Sequence, residues 1–81
     1  MATVRLQIQI EMNEDKLREL ESLMQECGIR TKKDLMNDAL TLFKWAVNKR
    51  KSGHEIVAVN SEKGRYTELH MLALSAVRRA E

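Results

Sequence analysis

The chain has 81 residues, one cysteine, no proline and a formal net charge of +2. This length fits one small domain that buries only a modest core, and a single cysteine excludes an intrachain disulfide. Cys27, His54 and His70 are too widely spaced to form a metal-binding motif. The chain also lacks a recognisable nucleophile–base pair and a glycine-rich phosphate loop, so we expect no enzyme activity, no metal and no cofactor.

The first segment, residues 3–12, alternates apolar and polar side chains almost without a break. This period predicts a β-strand whose polar face carries Arg5, Gln7, Gln9 and Glu11. Arg and Gln match the edges of guanine and adenine in the major groove, which favours a DNA-reading strand. The alternative is a half-buried edge strand with a solvated polar face, because such alternation is common in antiparallel sheets.

Two helices are predicted next. Asn13 is a good N-cap for a helix over 14–27, which Gly28 ends, and Thr31 is a good N-cap for a helix over 32–52, which Gly53 ends. The second helix is apolar on well over half of its circumference. A chain this small has too few elements to cover it, so we expect a homodimer.

The period changes after Gly53. Residues 55–59 predict a short strand, residues 60–64 a turn, and the apolar spacing from Tyr66 to Val77 a short third helix within 66–79. We therefore expect two regions, 1–53 and 54–81. The formal charge is −3 over residues 13–27 and +5 over residues 29–53, which indicates a basic surface around the second helix.

The order of these elements resembles the ribbon-helix-helix family of small repressors and antitoxins. The resemblance covers about residues 3–52 and depends on the alternating strand, on the Met12–Leu20 segment with its spaced leucines, and on the Gly28–Leu40 segment with its Gly-x-Thr turn and Ala39-Leu40 pair. It implies a mainly α fold with an N-terminal β-strand. Two chains would intertwine as a homodimer with a two-stranded antiparallel ribbon, and residues 54–81 would form a strand and helix extension.

The resemblance also implies site residues. Outward side chains of the ribbon, Arg5, Gln7, Gln9 and Glu11, would contact bases in the major groove, and the amides around Thr31, Lys32 and Lys33 would bind a DNA phosphate. The implied dimer core is Leu6, Ile8, Ile10, Leu20, Leu35, Ala39, Leu42 and Phe43. Glu11 departs from the family pattern. We expect it to pair with Arg5 across the ribbon, although it could accept from cytosine or weaken phosphate binding.

These features predict a sequence-specific DNA-binding transcriptional repressor that acts as a homodimer on double-stranded DNA. The alternative is an antitoxin or protein-interaction module whose C-terminal extension binds a partner protein. The N-terminus lacks the apolar core of a signal peptide, and no apolar run is long enough to cross a bilayer. We therefore expect a cytoplasmic protein without a membrane partner.

Overall fold

The computed structural model describes residues 3–79. Its elements, in chain order, are α1 (Glu14–Cys27), α2 (Lys32–Lys51), β1 (Val57–Asn60), β2 (Arg65–Glu68) and α3 (Leu72–Ser75). The chain divides into two compact units, of which the first ends at Lys32 and the second begins at Lys33. The outer ends of the predicted regions 1–53 and 54–81, residues 1, 2, 80 and 81, lie outside the described residues. The predicted boundary after residue 53 stays a prediction.

The predicted N-terminal strand is absent, and the predicted ribbon-helix-helix fold class is therefore wrong for this structure. Residues 3–12 have no regular secondary structure and are all exposed. The sheet instead follows the two helices and consists of β1 and β2 alone within the described part of the chain. Alternation fixes which side chains share a face, but a strand also needs a hydrogen-bonding neighbour, and residues 3–12 have none.

Helix α1 begins and ends at the residues that its capping signals predict. The Asn13 side chain accepts a hydrogen bond from the Lys16 amide at 2.8 Å, and Glu14 and Asp15 follow in the first turn. At the other end Gly28 has a φ of 69°, which is the left-handed conformation that glycine adopts without strain. The amide of Ile29 donates to the carbonyl oxygen of Met24 at 2.8 Å, which completes a Schellman cap.

Helix α2 ends at Lys51, one residue before the predicted end. The amide of Gly53 donates to the Arg50 carbonyl at 3.0 Å, and that of His54 donates to the Lys49 carbonyl at 2.9 Å. Gly53 has a φ of 85°, so this is the same type of glycine cap that ends α1. Residues 54–56 then connect α2 to β1.

A hairpin occupies the residues where the predicted third helix was expected to begin. Strands β1 and β2 pair antiparallel, with Val57 opposite Glu68 and Val59 opposite Tyr66. In the connecting turn the Asn60 side chain accepts from the Lys63 amide at 3.2 Å, and Gly64 has a φ of 62°. The turn brings Arg65–Glu68 alongside β1, so the prediction of a helix from residue 66 is wrong. Of the predicted range 66–79, only α3 is helical.

The second unit contains a small apolar core. The Leu69 amide donates to the Ile56 carbonyl at 2.8 Å, which extends the hairpin by one hydrogen bond. The chain then reaches α3, where the Leu74 side chain is 3% exposed, and Ala46 of α2 is 6% exposed. Among the described residues these two and Met24 are the buried apolar side chains.

Candidate nucleic-acid interface

The four predicted base-contacting residues lie on the exposed N-terminal segment. Arg5, Gln7, Gln9 and Glu11 are all exposed, and the segment leads directly into the N-cap residue Asn13. The expected Arg5–Glu11 pair would join two chains across a ribbon, so the single chain does not test it and it stays a prediction. The polar side chains that could recognise a base are thus open to solvent in the single chain.

The predicted phosphate-binding residues lie at the start of α2. Lys32 and Lys33 are its first two residues, Thr31 precedes them, and all three are exposed. The first amides of a helix lack partners within the helix, and its dipole favours an anion at this end. Two lysines at this position add positive charge, although Asp34 in the same turn opposes them.

Arg50, near the other end of α2, has a different role. The Arg50 side chain is about one quarter exposed, and its Nη1 lies 3.1 Å from a Glu55 carboxylate oxygen. Its Nε donates to the Leu74 carbonyl and its Nη1 to the His54 carbonyl, each at 3.3 Å. Arg50 therefore holds the C-terminal region to α2. The sequence pattern does not reveal this role, because Leu74 is 24 residues away.

Helix α1 offers little attraction to a DNA backbone. Arg18 lies 3.4 Å from Glu14 and 3.9 Å from Asp15, and Lys16 lies 3.5 Å from Glu19. These pairs are exposed and stabilise the helix only weakly. Because both basic residues of α1 have carboxylate neighbours, the positive charge available for phosphate lies outside this helix.

An apolar groove forms on α2 in the second unit. We call it the α2 groove; its volume is about 430 Å³ and its lining residues are Met36, Ala39, Leu40, Leu42, Phe43, Ala46, Leu69, Met71 and Leu74. Three predicted dimer-core residues, Ala39, Leu42 and Phe43, are thus brought together. The contribution of Leu69, Met71 and Leu74 was missed, because the sequence analysis treated residues 54–81 as an extension separate from the dimer core.

In the single chain, the remaining predicted dimer-core residues are more exposed than the residues of a protein core. Leu6, Ile8 and Ile10 are exposed, with Ile8 57% exposed, while Leu20 and Leu35 are half-buried. The dimer core therefore stays a prediction. What the single chain shows is a set of apolar side chains without cover.

Comparisons of the chain with protein-family models, with curated proteins and with solved structures find no match. Within residues 3–79, no helix combines the length and the apolar character that crossing a membrane requires.

Proposed function

We propose that the protein is a homodimeric transcriptional regulator that binds double-stranded DNA in a sequence-specific manner in the cytoplasm. The observation that carries this proposal is the exposure of Arg5, Gln7 and Gln9 on a segment whose described residues are all open to solvent. Arg5 has no ion pair, and Gln7 and Gln9 have no side-chain hydrogen bond, among those found for the described part of the chain. They are therefore free to meet a base edge without first breaking an internal contact.

Base recognition follows from the chemistry of these side chains. A Gln amide can donate to and accept from adenine, and an Arg guanidinium can donate twice to guanine. Each good bidentate contact contributes about 1–3 kcal/mol of discrimination against the wrong base. Glu11 fits the same segment as an acceptor for the cytosine amino group, and its negative charge disfavours a position close to phosphate.

Affinity for the DNA backbone is assigned to the start of α2. Lys32 and Lys33 are exposed beside the first amides of the helix, so they can neutralise phosphate charge and release bound counterions. The base-contacting residues supply specificity, whereas these lysines supply affinity that does not depend on sequence.

The homodimer is supported by the exposed apolar side chains of both units. Leu6, Ile8 and Ile10 are exposed in the first unit, and Leu40, Leu42 and Phe43 in the second. Apolar side chains in such number are typical of a surface that a partner covers. A two-fold dimer would present two copies of the reading segment, so the recognised DNA would have two related half-sites.

The salt dependence of DNA binding tests this proposal. We would measure the affinity for a mixed-sequence duplex by fluorescence anisotropy at several KCl concentrations, for the wild type, for a Lys32→Ala/Lys33→Ala variant and for Lys63→Ala. The plot of log affinity against log salt should become shallower by about 1 for each phosphate contact that the double variant loses.

Lys63 is a matched control, because it is an exposed lysine in the hairpin turn. Its removal should leave the slope unchanged. Equal slopes for the wild type and both variants would contradict the phosphate assignment. A folded wild-type protein that fails to bind duplex DNA even at low salt would contradict the proposed function itself.

A further inference from the structure

The C-terminal end of α2 carries positive charge that the proposed function does not use. The segment from Lys44 to His54 has four basic residues and no acidic one. Lys44 and Lys51 are both exposed, and they lie on the same face of the helix because seven residues make almost two full turns. The two lysines are therefore about 10 Å apart along the helix axis.

The fold brings a further cation to this end of α2. The Arg79 guanidinium lies beside Gly53, since a Cβ at residue 53 would lie 2.8 Å from Nε and 2.9 Å from Cζ of Arg79. Gly53 belongs to the C-terminal cap of α2 and follows Lys51 by two residues. The segment after α3 thus returns to the end of α2 and adds a third exposed positive charge there. We call Lys44, Lys51 and Arg79 the C-terminal basic surface.

The positive charge of this surface is not neutralised within the described part of the chain. Its three residues take part in none of the ion pairs and none of the side-chain hydrogen bonds found for residues 3–79. The first carboxylate after α2 belongs to Glu55, and it lies 3.1 Å from the Arg50 guanidinium. The C-terminal basic surface is therefore available to an external anion.

Helix stability accounts for only part of this charge. The helix dipole favours a cation at the C-terminal end, but the effect falls off within the last turn. It therefore does not explain Lys44, which lies two turns before Lys51. Each further cation at the same end also adds repulsion between like charges. An exposed basic surface of this kind is typical of proteins that bind nucleic acid.

The length of α2 indicates the size of the anion. Lys33, at the start of the helix, lies about 27 Å along the axis from Lys51 at its end. A free phosphate or a single nucleotide can contact only one of these ends. Duplex DNA carries one negative charge per about 1.7 Å of its axis, so it is long enough and charged enough to contact both.

We propose that the C-terminal basic surface is a second phosphate-contacting surface, which binds the backbone of the same duplex DNA as the start of α2. This inference rests on the proposed function and gives the segment after α3 a part in it. Phosphate contacts do not depend on the identity of the base. The surface therefore raises the affinity for DNA and its salt dependence without changing the preferred sequence.

Two double variants with the same change of net charge provide the test and its control. Lys51→Gln/Arg79→Gln removes two charges from the proposed surface, whereas Lys63→Gln/Arg65→Gln removes two from the hairpin. All four residues are exposed, and none has an ion pair among those found for residues 3–79. Both variants are therefore expected to keep the helical content of the wild type, which circular dichroism would check.

The affinity for a mixed-sequence duplex would be measured by fluorescence anisotropy at several KCl concentrations. The plot of log affinity against log salt should become shallower by about 2 for Lys51→Gln/Arg79→Gln and by less than about 0.5 for the hairpin variant. A Lys51→Arg/Arg79→Lys variant keeps both charges and should keep the wild-type slope. An unchanged slope for Lys51→Gln/Arg79→Gln, or an equal decrease for both Gln variants, would overturn the second phosphate surface and leave the proposed function in place.

Two further outcomes separate this inference from the proposed function and from a membrane surface. A folded wild type that fails to bind duplex DNA even at low salt would overturn the proposed function and this inference with it. Sedimentation with vesicles of phosphatidylserine and phosphatidylcholine tests the other extended anion. Vesicle binding that Lys51→Gln/Arg79→Gln abolishes, together with an unchanged DNA slope, would overturn the DNA assignment and give this surface to a membrane.

Discussion

The Nε atom of Arg50 donates a hydrogen bond to the carbonyl oxygen of Leu74 at 3.3 Å, across 24 residues of sequence. The same guanidinium also donates to the His54 carbonyl and pairs with Glu55. One side chain at the end of α2 thus holds the start of the hairpin region and the end of α3. Since Leu74 and Ala46 form the floor of the α2 groove, Arg50 maintains the groove without lining it.

Replacement of Arg50 by Ala should loosen the C-terminal region. The change removes two hydrogen bonds from a charged donor, and such bonds each contribute about 1.5–3 kcal/mol when both partners are present. Because both bonds are 3.3 Å long and water reaches the guanidinium, we expect less than their sum: a loss of about 2 kcal/mol in the free energy of unfolding, measured by urea denaturation at one fixed protein concentration. Lys51→Ala is the control, since Lys51 is an adjacent exposed residue. Equal stability of the two variants would contradict the role assigned to Arg50.

Removal of the Glu55 charge should have a much smaller effect than removal of Arg50. The Glu55 side chain is 63% exposed, so solvent screens its attraction to the Arg50 guanidinium. Glu55→Gln is expected to lower the free energy of unfolding by less than about 1 kcal/mol. Urea denaturation at low and at high salt would check this, and a loss as large as that of Arg50→Ala would show that the ion pair dominates.

Gly53→Ala and Gly64→Ala should destabilise the protein by similar amounts. Both glycines have a positive φ, where a residue with a Cβ costs about 1–2 kcal/mol. A Cβ at Gly53 would also lie 2.8 Å from Nε of Arg79, whereas one at Gly64 would have no atom within 4 Å. The Arg79 guanidinium is the far end of a flexible, exposed side chain that can move aside at little cost. Urea denaturation should therefore give nearly equal losses of unfolding free energy for the two variants, and a much larger loss for Gly53→Ala would contradict this expectation.

A double-mutant cycle tests whether Arg79 crowds residue 53. The effects of Gly53→Ala and Arg79→Ala on the free energy of unfolding should add within about 0.5 kcal/mol, because the arginine side chain can move aside. A clear recovery of stability in the double variant would show instead that Arg79 restricts residue 53.

The N-cap of α1 should contribute measurably to stability. Asn13→Ala removes the side-chain acceptor for the Lys16 amide and is expected to cost about 1 kcal/mol, with a loss of helical circular dichroism. Asn37→Ala in the exposed part of α2 should be neutral or slightly stabilising, because Ala has the higher helix propensity. The reverse order of the two effects would contradict the capping assignment.

Local signals in the sequence predicted the two long helices well. Asn13 and Gly28 define the ends of α1 through hydrogen bonds between residues that are near each other in sequence. The positions where α1 begins and ends therefore do not depend on the rest of the fold. The same holds for Gly53, although α2 ends one residue earlier than predicted.

Features that depend on a distant partner were not predictable in this way. The alternation of residues 3–12 indicates a strand but supplies no neighbour, and the structure forms none there. The spacing of Tyr66, Leu69 and Leu72 fits a helix, yet pairing with β1 makes Arg65–Glu68 a strand. The contacts of Arg50 and the second wall of the α2 groove likewise arise only once the chain has folded back.

Selection of bound sequences from a randomised duplex DNA library tests the central claim most directly. It would use the wild type, an Arg5→Ala/Gln7→Ala/Gln9→Ala variant, and an Arg18→Ala/Gln25→Ala variant that removes comparable side chains from the exposed surface of α1. We predict that the wild type and the α1 variant enrich the same motif with two related half-sites, and that the N-terminal variant does not. Enrichment of that motif by the N-terminal variant, or of no motif by the folded wild-type protein, would contradict the account.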